Sequence, residues 1–209
     1  MKKRTTFSVV PWYFTIPSLI GLALILGPLL GLLYNIPWMG LHEIIDEEVV
    51  GATQLSLVTA SISTLICGVI GAPLALTLCK VLDRSRLRGA GSLLYAIIYT
   101  PIIFSPVVSG LGLLFFWGRK GIIGAALYDA GIKITFTTTA VIIAQVFVAL
   151  PFFVASAVTT LQAIPREYEE IAEVEGAKAS EITYWVLLPL AAPGIATGFL
   201  LSFARALGE

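Results

Sequence analysis

The chain has 209 residues, 57% of them hydrophobic and 12% charged, and its thirteen Lys and Arg balance thirteen Asp and Glu. Mean hydropathy is +0.93. A soluble domain carries roughly 45–50% apolar and 25% charged residues, so the composition excludes a soluble fold, and zero net charge gives no bulk attraction to nucleic acid.

Charge falls in six islands, at residues 2–4, 43–48, 80–88, 119–133, 166–181 and 205–209. The five spans between them contain no Asp, Glu, Lys or Arg, and each can supply the about 20 apolar residues that cross a hydrocarbon core. The predicted elements are five transmembrane helices at 11–34, 54–79, 90–117, 134–157 and 189–208, an all-α polytopic membrane helix bundle. Runs such as Leu19 to Leu33 lack the alternation of apolar and polar residues that a membrane β-barrel requires.

Lys2, Lys3 and Arg4 precede the first span as in a secretory signal, but the apolar stretch runs on to Ile36 without a small-residue cleavage pattern. It reads as a retained anchor, because a signal core is only about 7–15 residues long. His42, the single histidine, follows the outer end of this helix. It reads as an interfacial polar residue, with pH or ligand sensing as the alternative.

In the second span, Cys67 and Cys79 are twelve positions apart. At helical rise that is about 18 Å, too far for a disulfide. Ala60, Thr64, Gly68 and Ala72 repeat every four residues there, and Gly27/Gly31 and Gly194/Gly198 form G-x-x-x-G pairs. Such spacing allows backbones to approach closely, within a bundle or across a dimer seam.

The third span contains Pro101 and Pro106, with Ser105, Ser109, Gly110 and Gly112 close by. Proline frees a carbonyl that lipid cannot satisfy, so this helix is kinked or broken. Broken helices at membrane depth line substrate routes in some transporters, which makes Pro101, Ser105, Pro106 and Ser109 candidate pathway residues; a kink used for packing is the alternative.

Residues 158–188 form the last long connection. Pro165 can open a helix whose first turn holds Glu167, Glu169 and Glu170, and Gly176 can end it in the left-handed conformation. Ala177 to Leu187 then offers a second, amphipathic helix with Ile182, Trp185 and Val186 on its apolar side. The functional reading is a knob that fits a groove on a partner, and the alternative is a solvated loop. In the final span, Arg205 and Glu209 are i, i+4 neighbours. They read as an ion pair, with contact between Arg205 and an anion in transit as the alternative.

With the N-terminus cytoplasmic, Lys2, Lys3, Arg4, Lys80, Arg84, Arg86, Arg88, Arg166 and Lys178 lie inside, against Arg119, Lys120 and Lys133 outside. That follows the positive-inside tendency and puts 158–188 in the cytoplasm. No G-x-x-x-x-G-K-[ST] run is present, and one His without an aqueous domain gives neither a catalytic constellation nor metal spacing. No catalytic residue, metal or cofactor is expected.

Glu170-Ile171-Ala172, then Gly176, then Val186-Leu187-Leu188-Pro189 resembles the EAA signature of permease subunits of bacterial and archaeal ABC importers, with Ile171 and Val186 replacing alanine and isoleucine. The resemblance implies that Glu170, Ala172, Gly176, Ala177, Leu188 and Pro189 belong to the segment that docks on a cytoplasmic ATPase, with Gly176 at the turn. Ser202-Phe203-Ala204-Arg205-Ala206-Leu207-Gly208-Glu209 looks like the matching segment of molybdate and sulfate permeases. Residues 101–110 and 118–121 are similar to the third-helix region of molybdate permeases, except that Phe104-Ser105-Pro106 replaces an adjacent proline pair.

The resemblance implies a homodimer in the cell (inner) membrane, surrounded by lipid. Two cytoplasmic ATPase subunits and an extracellular or periplasmic substrate-binding protein complete it, and the cargo is molybdate, tungstate or sulfate. ATP hydrolysis would lie on the partner. The resemblance also implies a sixth helix, expected to follow Glu209, where this sequence stops. From another class, a secondary transporter or membrane scaffold would use 166–181 only as a connection, but gradient-driven carriers place ionisable groups at mid-membrane and the first four spans have none.

Overall fold

A computed structural model describes residues 11–36, 46–83 and 88–209, and every regular element among them is helical. Lys2, Lys3, Arg4, His42, Glu43, Arg84 and Arg86 lie outside the described residues. The chain divides into two compact units, residues 1–51 and 52–209.

In the first unit a 3-10 turn at Trp12–Phe14 leads into helix α1, Thr15–Tyr34. No residue of α1 is charged or buried. A helix that is apolar all round suits lipid, which explains why no polar stripe interrupts it.

Helix α2, Glu47–Asp83, starts at Asp46, whose Oδ1 accepts the Val49 N–H at 2.9 Å. Glu47 and Glu48 in its first turn and Lys80 in its last complement the helix dipole, so it extends beyond 54–79 at both ends. Helices α3 (Arg88–Ile103) and α4 (Pro106–Trp117) replace a single third span and meet at 114°. A short helix α5 (Gly124–Asp129) follows, then α6, Thr138–Gln162. Residues 134–137 stay outside α6 because Thr137 caps it, its Oγ1 accepting the Ala140 N–H at 3.4 Å. At the other end α6 continues past 157 through a Thr-rich turn.

Helix α7 (Glu167–Val174), helix α8 (Ala179–Ile182), a π-helical turn (Thr183–Leu187) and helix α9 (Leu188–Leu207) complete the chain. From Ala179 to Leu207 these last three are one unbroken rod of 29 residues, so the final span has no free start at 189. Among the described residues four helices are long and apolar enough to cross a membrane, or five with α3 and α4 taken as one bent span.

Small residues hold the core of the second unit. A methyl group on Gly68 would fall on the Phe199 ring, one on Gly71 on Phe153, and one on Gly194 on Thr160. Phe153 is fully buried and meets Phe199 edge-on at 5.0 Å. The Ser156 hydroxyl donates to the Gly194 carbonyl at 2.7 Å and the Ser202 hydroxyl to the Ala149 carbonyl at 3.2 Å. Without a hydrophobic drive between helices in lipid, close backbones and such hydrogen bonds carry the association.

The pairings also give direction. Ser63 meets Gln145, Gly71 meets Phe153 and Cys79 meets Val158, so α2 and α6 run parallel. Gln145 meets Ala206, Ala149 meets Ser202 and Ser156 meets Gly194, so α9 runs antiparallel to α6. Two parallel helices need a return between them, and α3 with α4 supplies it despite the bend. One end of the bundle therefore gathers residues 118–137 and the end of α9; the other holds α7 and α8.

Candidate coupling elbow and translocation elements

The polar connection at 165–188 folds into a defined bend. Helix α7 carries Glu167, Glu169 and Glu170 in its first turn, where the positive end of the dipole favours carboxylates. At its far end Gly176 has φ +85°, the left-handed region open to glycine. The Ala177 N–H donates to the Ala172 carbonyl at 3.0 Å, and the Gly176 N–H to the Glu173 carbonyl at 3.0 Å. This pair of bonds is a Schellman closure, which satisfies carbonyls that the end of a helix otherwise leaves open.

The chain then restarts at once. The Glu181 carboxylate accepts the Lys178 N–H at 2.7 Å, tying the new helix to the bend. Ile182 is buried and Trp185 is 81% exposed, at the start and middle of a stretch whose residues 183–187 form a π turn.

Glu170, Gly176 and Pro189 are exposed, while Ala172, Ala177 and Leu188 are half-buried. The elbow presents Tyr168, Ile171 and Val174 at spacings of three along α7, and Val174 is 88% exposed. That is an apolar ridge set among carboxylates.

The bend between α3 and α4 brings Pro101, Ser105, Pro106 and Ser109 to one place. Pro101 lies in the last turn of α3. Ser105 caps α4 with extended backbone, its Oγ accepting the Val108 N–H at 3.4 Å, and Pro106 occupies the first turn, where a missing N–H costs nothing. Ser109 is buried and its hydroxyl has no hydrogen-bond partner. Arg205 is not joined to this bend. Its Nη1 lies 2.7 Å from Glu209 Oε2, with about a quarter of each side chain exposed.

A hub that sequence reasoning missed sits near Arg205. The Gln145 amide donates to Thr59 Oγ1 and to the Ala206 carbonyl, each at 3.2 Å, and its Oε1 accepts the Ser63 hydroxyl at 2.9 Å. It joins α2, α6 and α9 in one buried network. The available signal was a lone amide in an otherwise apolar span.

Among the described residues no group of His, Cys, Asp or Glu is placed to hold a metal. Residues 5–209 match the family model described as binding-protein-dependent transport system inner membrane component. The chain is 38% identical over 201 residues to the molybdenum transport system permease protein ModB of Mycobacterium tuberculosis, covering 96% of this chain and 74% of that one. It is 35% identical over 199 residues to a probable molybdenum ABC transporter permease protein of Haloferax volcanii, covering 90% and 71%. It is 33% identical over 189 residues to the sulfate transport system permease protein CysT of Escherichia coli, covering 90% and 66%.

Proposed function

Since the chain belongs to the family of binding-protein-dependent transport system inner membrane components, a multi-pass membrane permease family, we propose that it forms the translocation path of an ABC importer for molybdate or tungstate. Residues 1–209 act as one permease domain, paired with a second copy, and 166–189 grips a cytoplasmic ATPase. An external binding protein delivers the oxyanion to the opposite face. The N-terminus is cytoplasmic, in keeping with the distribution of Lys and Arg.

The observation that carries this reading is the elbow. Glu170, Ala172, Gly176, Ala177, Leu188 and Pro189 form a closed bend whose apolar ridge is exposed and whose outgoing arm is continuous with α9. A ridge of this kind fits a partner's groove as a helix in a groove does. ATP-driven approach of two ATPase subunits would move two such elbows together and tilt the attached rods, a rigid-body transition between two states. The path is proposed to pass the bend at Pro101, Ser105, Pro106 and Ser109, where water in such a path would satisfy irregular backbone at membrane depth. Arg205, paired with Glu209, is proposed to stand at its outer mouth.

Similarity to the sulfate permease at 33% identity favours sulfate as the second reading. The experiment is reconstitution of the chain with its ATPase and binding protein in liposomes. Uptake of radiolabelled molybdate that needs both partners and ATP is the expected result; failure of the ATPase to co-purify would remove the proposal. Competition by tungstate and sulfate in the same assay ranks the cargo.

A further inference from the structure

We propose that the cavity between the end of α4 and the start of α6 is a reception site for a tetrahedral oxyanion, with Arg119 and Lys133 as its cationic ligands. This rests on the transport reading and adds a site to it. The cavity measures about 230 Å³ and is lined by Trp117, Arg119, Tyr128, Lys133, Thr135 and Phe136 among others. A water molecule takes about 30 Å³, so a tetrahedral oxyanion fits with part of its hydration shell. No carboxylate is among the lining residues. Asp129, next to Tyr128 in the sequence, is exposed and outside the lining.

The arginine is held in place before any anion arrives. Its guanidinium carbon lies 4.4 Å from the centroid of the Tyr128 ring, and Nη2 donates to the Tyr128 hydroxyl at 2.7 Å. A guanidinium carries five N–H donors in a planar fork, so this contact fixes the plane and leaves donors to meet oxyanion oxygens in pairs. The wall is equally set. At Gly124 the backbone passes so close to the Gly118 and Trp117 carbonyls that a methyl group has no room. The Ile122 and Ile123 N–H groups donate back to the Phe115 and Phe116 carbonyls at 3.1 and 3.0 Å.

Phe136, on the rim, has φ +61° and is 97% exposed. A bulky residue in the left-handed region is unfavourable and persists only where surrounding structure over-determines it, and such outliers cluster at binding sites.

Position agrees with a receiving role. Helix α6 has 25 residues, so about 37 Å of helix separates this cavity from the elbow. If the elbow meets the ATPase, the cavity faces the side of delivery. Exposure to water and salt keeps the attraction modest, which permits release, whereas two cations buried at mid-membrane would trap the anion.

The test is a calorimetric titration of the detergent-purified permease–ATPase complex with sodium molybdate at low ionic strength, without the binding protein. Saturable binding is expected, weakened at least fivefold by Lys133→Gln and by Arg119→Gln and unchanged by Lys120→Gln, a neighbouring exposed cation outside the lining. Arg119→Gln also removes the Tyr128 contact, so Lys133→Gln decides. Absence of saturable binding, or equal affinity in wild type and Lys133→Gln, overturns the site. Repeating the titration in nanodiscs of neutral and of anionic lipid distinguishes the anion's source. If lipid phosphate occupies the cavity and molybdate fails to displace it, the proposal falls. Receptor-driven uptake that persists without such binding refutes the cavity alone, whereas a complex that binds its ATPase yet moves no oxyanion refutes the transport reading.

Discussion

The Ala172 carbonyl accepts the Ala177 N–H across 3.0 Å, and the only residue in that interval with a left-handed backbone is Gly176. The fixed interval between the acidic residue and the glycine therefore has a geometric cause: α7 must end where this closure can form, or the arm carrying Leu188 and Pro189 leaves at another angle.

Gly176→Val removes the conformational freedom at φ +85°, at a cost of about 1–3 kcal/mol for a β-branched residue held there. The expected outcome is loss of ATP-dependent uptake by tenfold or more with normal membrane insertion. Gly176→Asn should keep most activity, because asparagine tolerates this region. Uptake and ATPase co-purification on the three proteins check it.

Gln145→Leu deletes the hub's three bonds; the Ser63 hydroxyl then keeps only a long 3.4 Å bond to the Ile142 carbonyl, and the Ala206 carbonyl keeps the Glu209 N–H at 3.3 Å. Interhelical hydrogen bonds in membranes are worth about 0.6–1.7 kcal/mol each, so a loss of about 2 kcal/mol is expected for the three. Thermal unfolding in detergent should fall by several degrees, and Gln145→Glu should not restore it.

Gly194→Val forces a branched side chain onto Thr160 and against α6. Overpacking of this kind typically costs about 1–3 kcal/mol. Lower yield of folded protein is expected, while Gly110→Ala, with open space around the added methyl, should be neutral or slightly stabilising. Size-exclusion profiles of the two variants compare them directly.

Arg205→Gln and Glu209→Gln should each cost no more than about 0.5 kcal/mol of stability, as partly exposed i, i+4 pairs do. If the pair acts only together, the double variant behaves like either single one. An anion contact by Arg205 would appear as a raised KM for uptake in Arg205→Gln and not in Glu209→Gln.

The sequence made the helical class legible because five uncharged spans leave lipid no other solution, and the small residues of α2 and α9 announced close packing. The elbow was legible too: Pro165, the acidic first turn and Gly176 are local signals for a local bend. What escaped was relational. Nothing in Thr183 to Leu187 marks a π turn. The bundle hub depends on Thr59, Ser63, Gln145 and Ala206 meeting across long separations that no periodicity encodes. The Arg119–Tyr128 stack is of the same kind, because only the turn at Gly118 to Gly124 folds the two together.

The continuity of residues 179 to 207 has a mechanical result. A continuous helical segment of 29 residues is about 43 Å long, so if it tilts as one body about Gly194 and Gly198, where it meets its neighbour closely, a tilt of about 10° moves the far tip, about 16 Å from that fulcrum, by about 3 Å. The elbow end, about 25 Å on the other side of that fulcrum, would move by about 4 Å the opposite way, so the segment would act as a lever whose arms are set by where Gly194 and Gly198 fall along it.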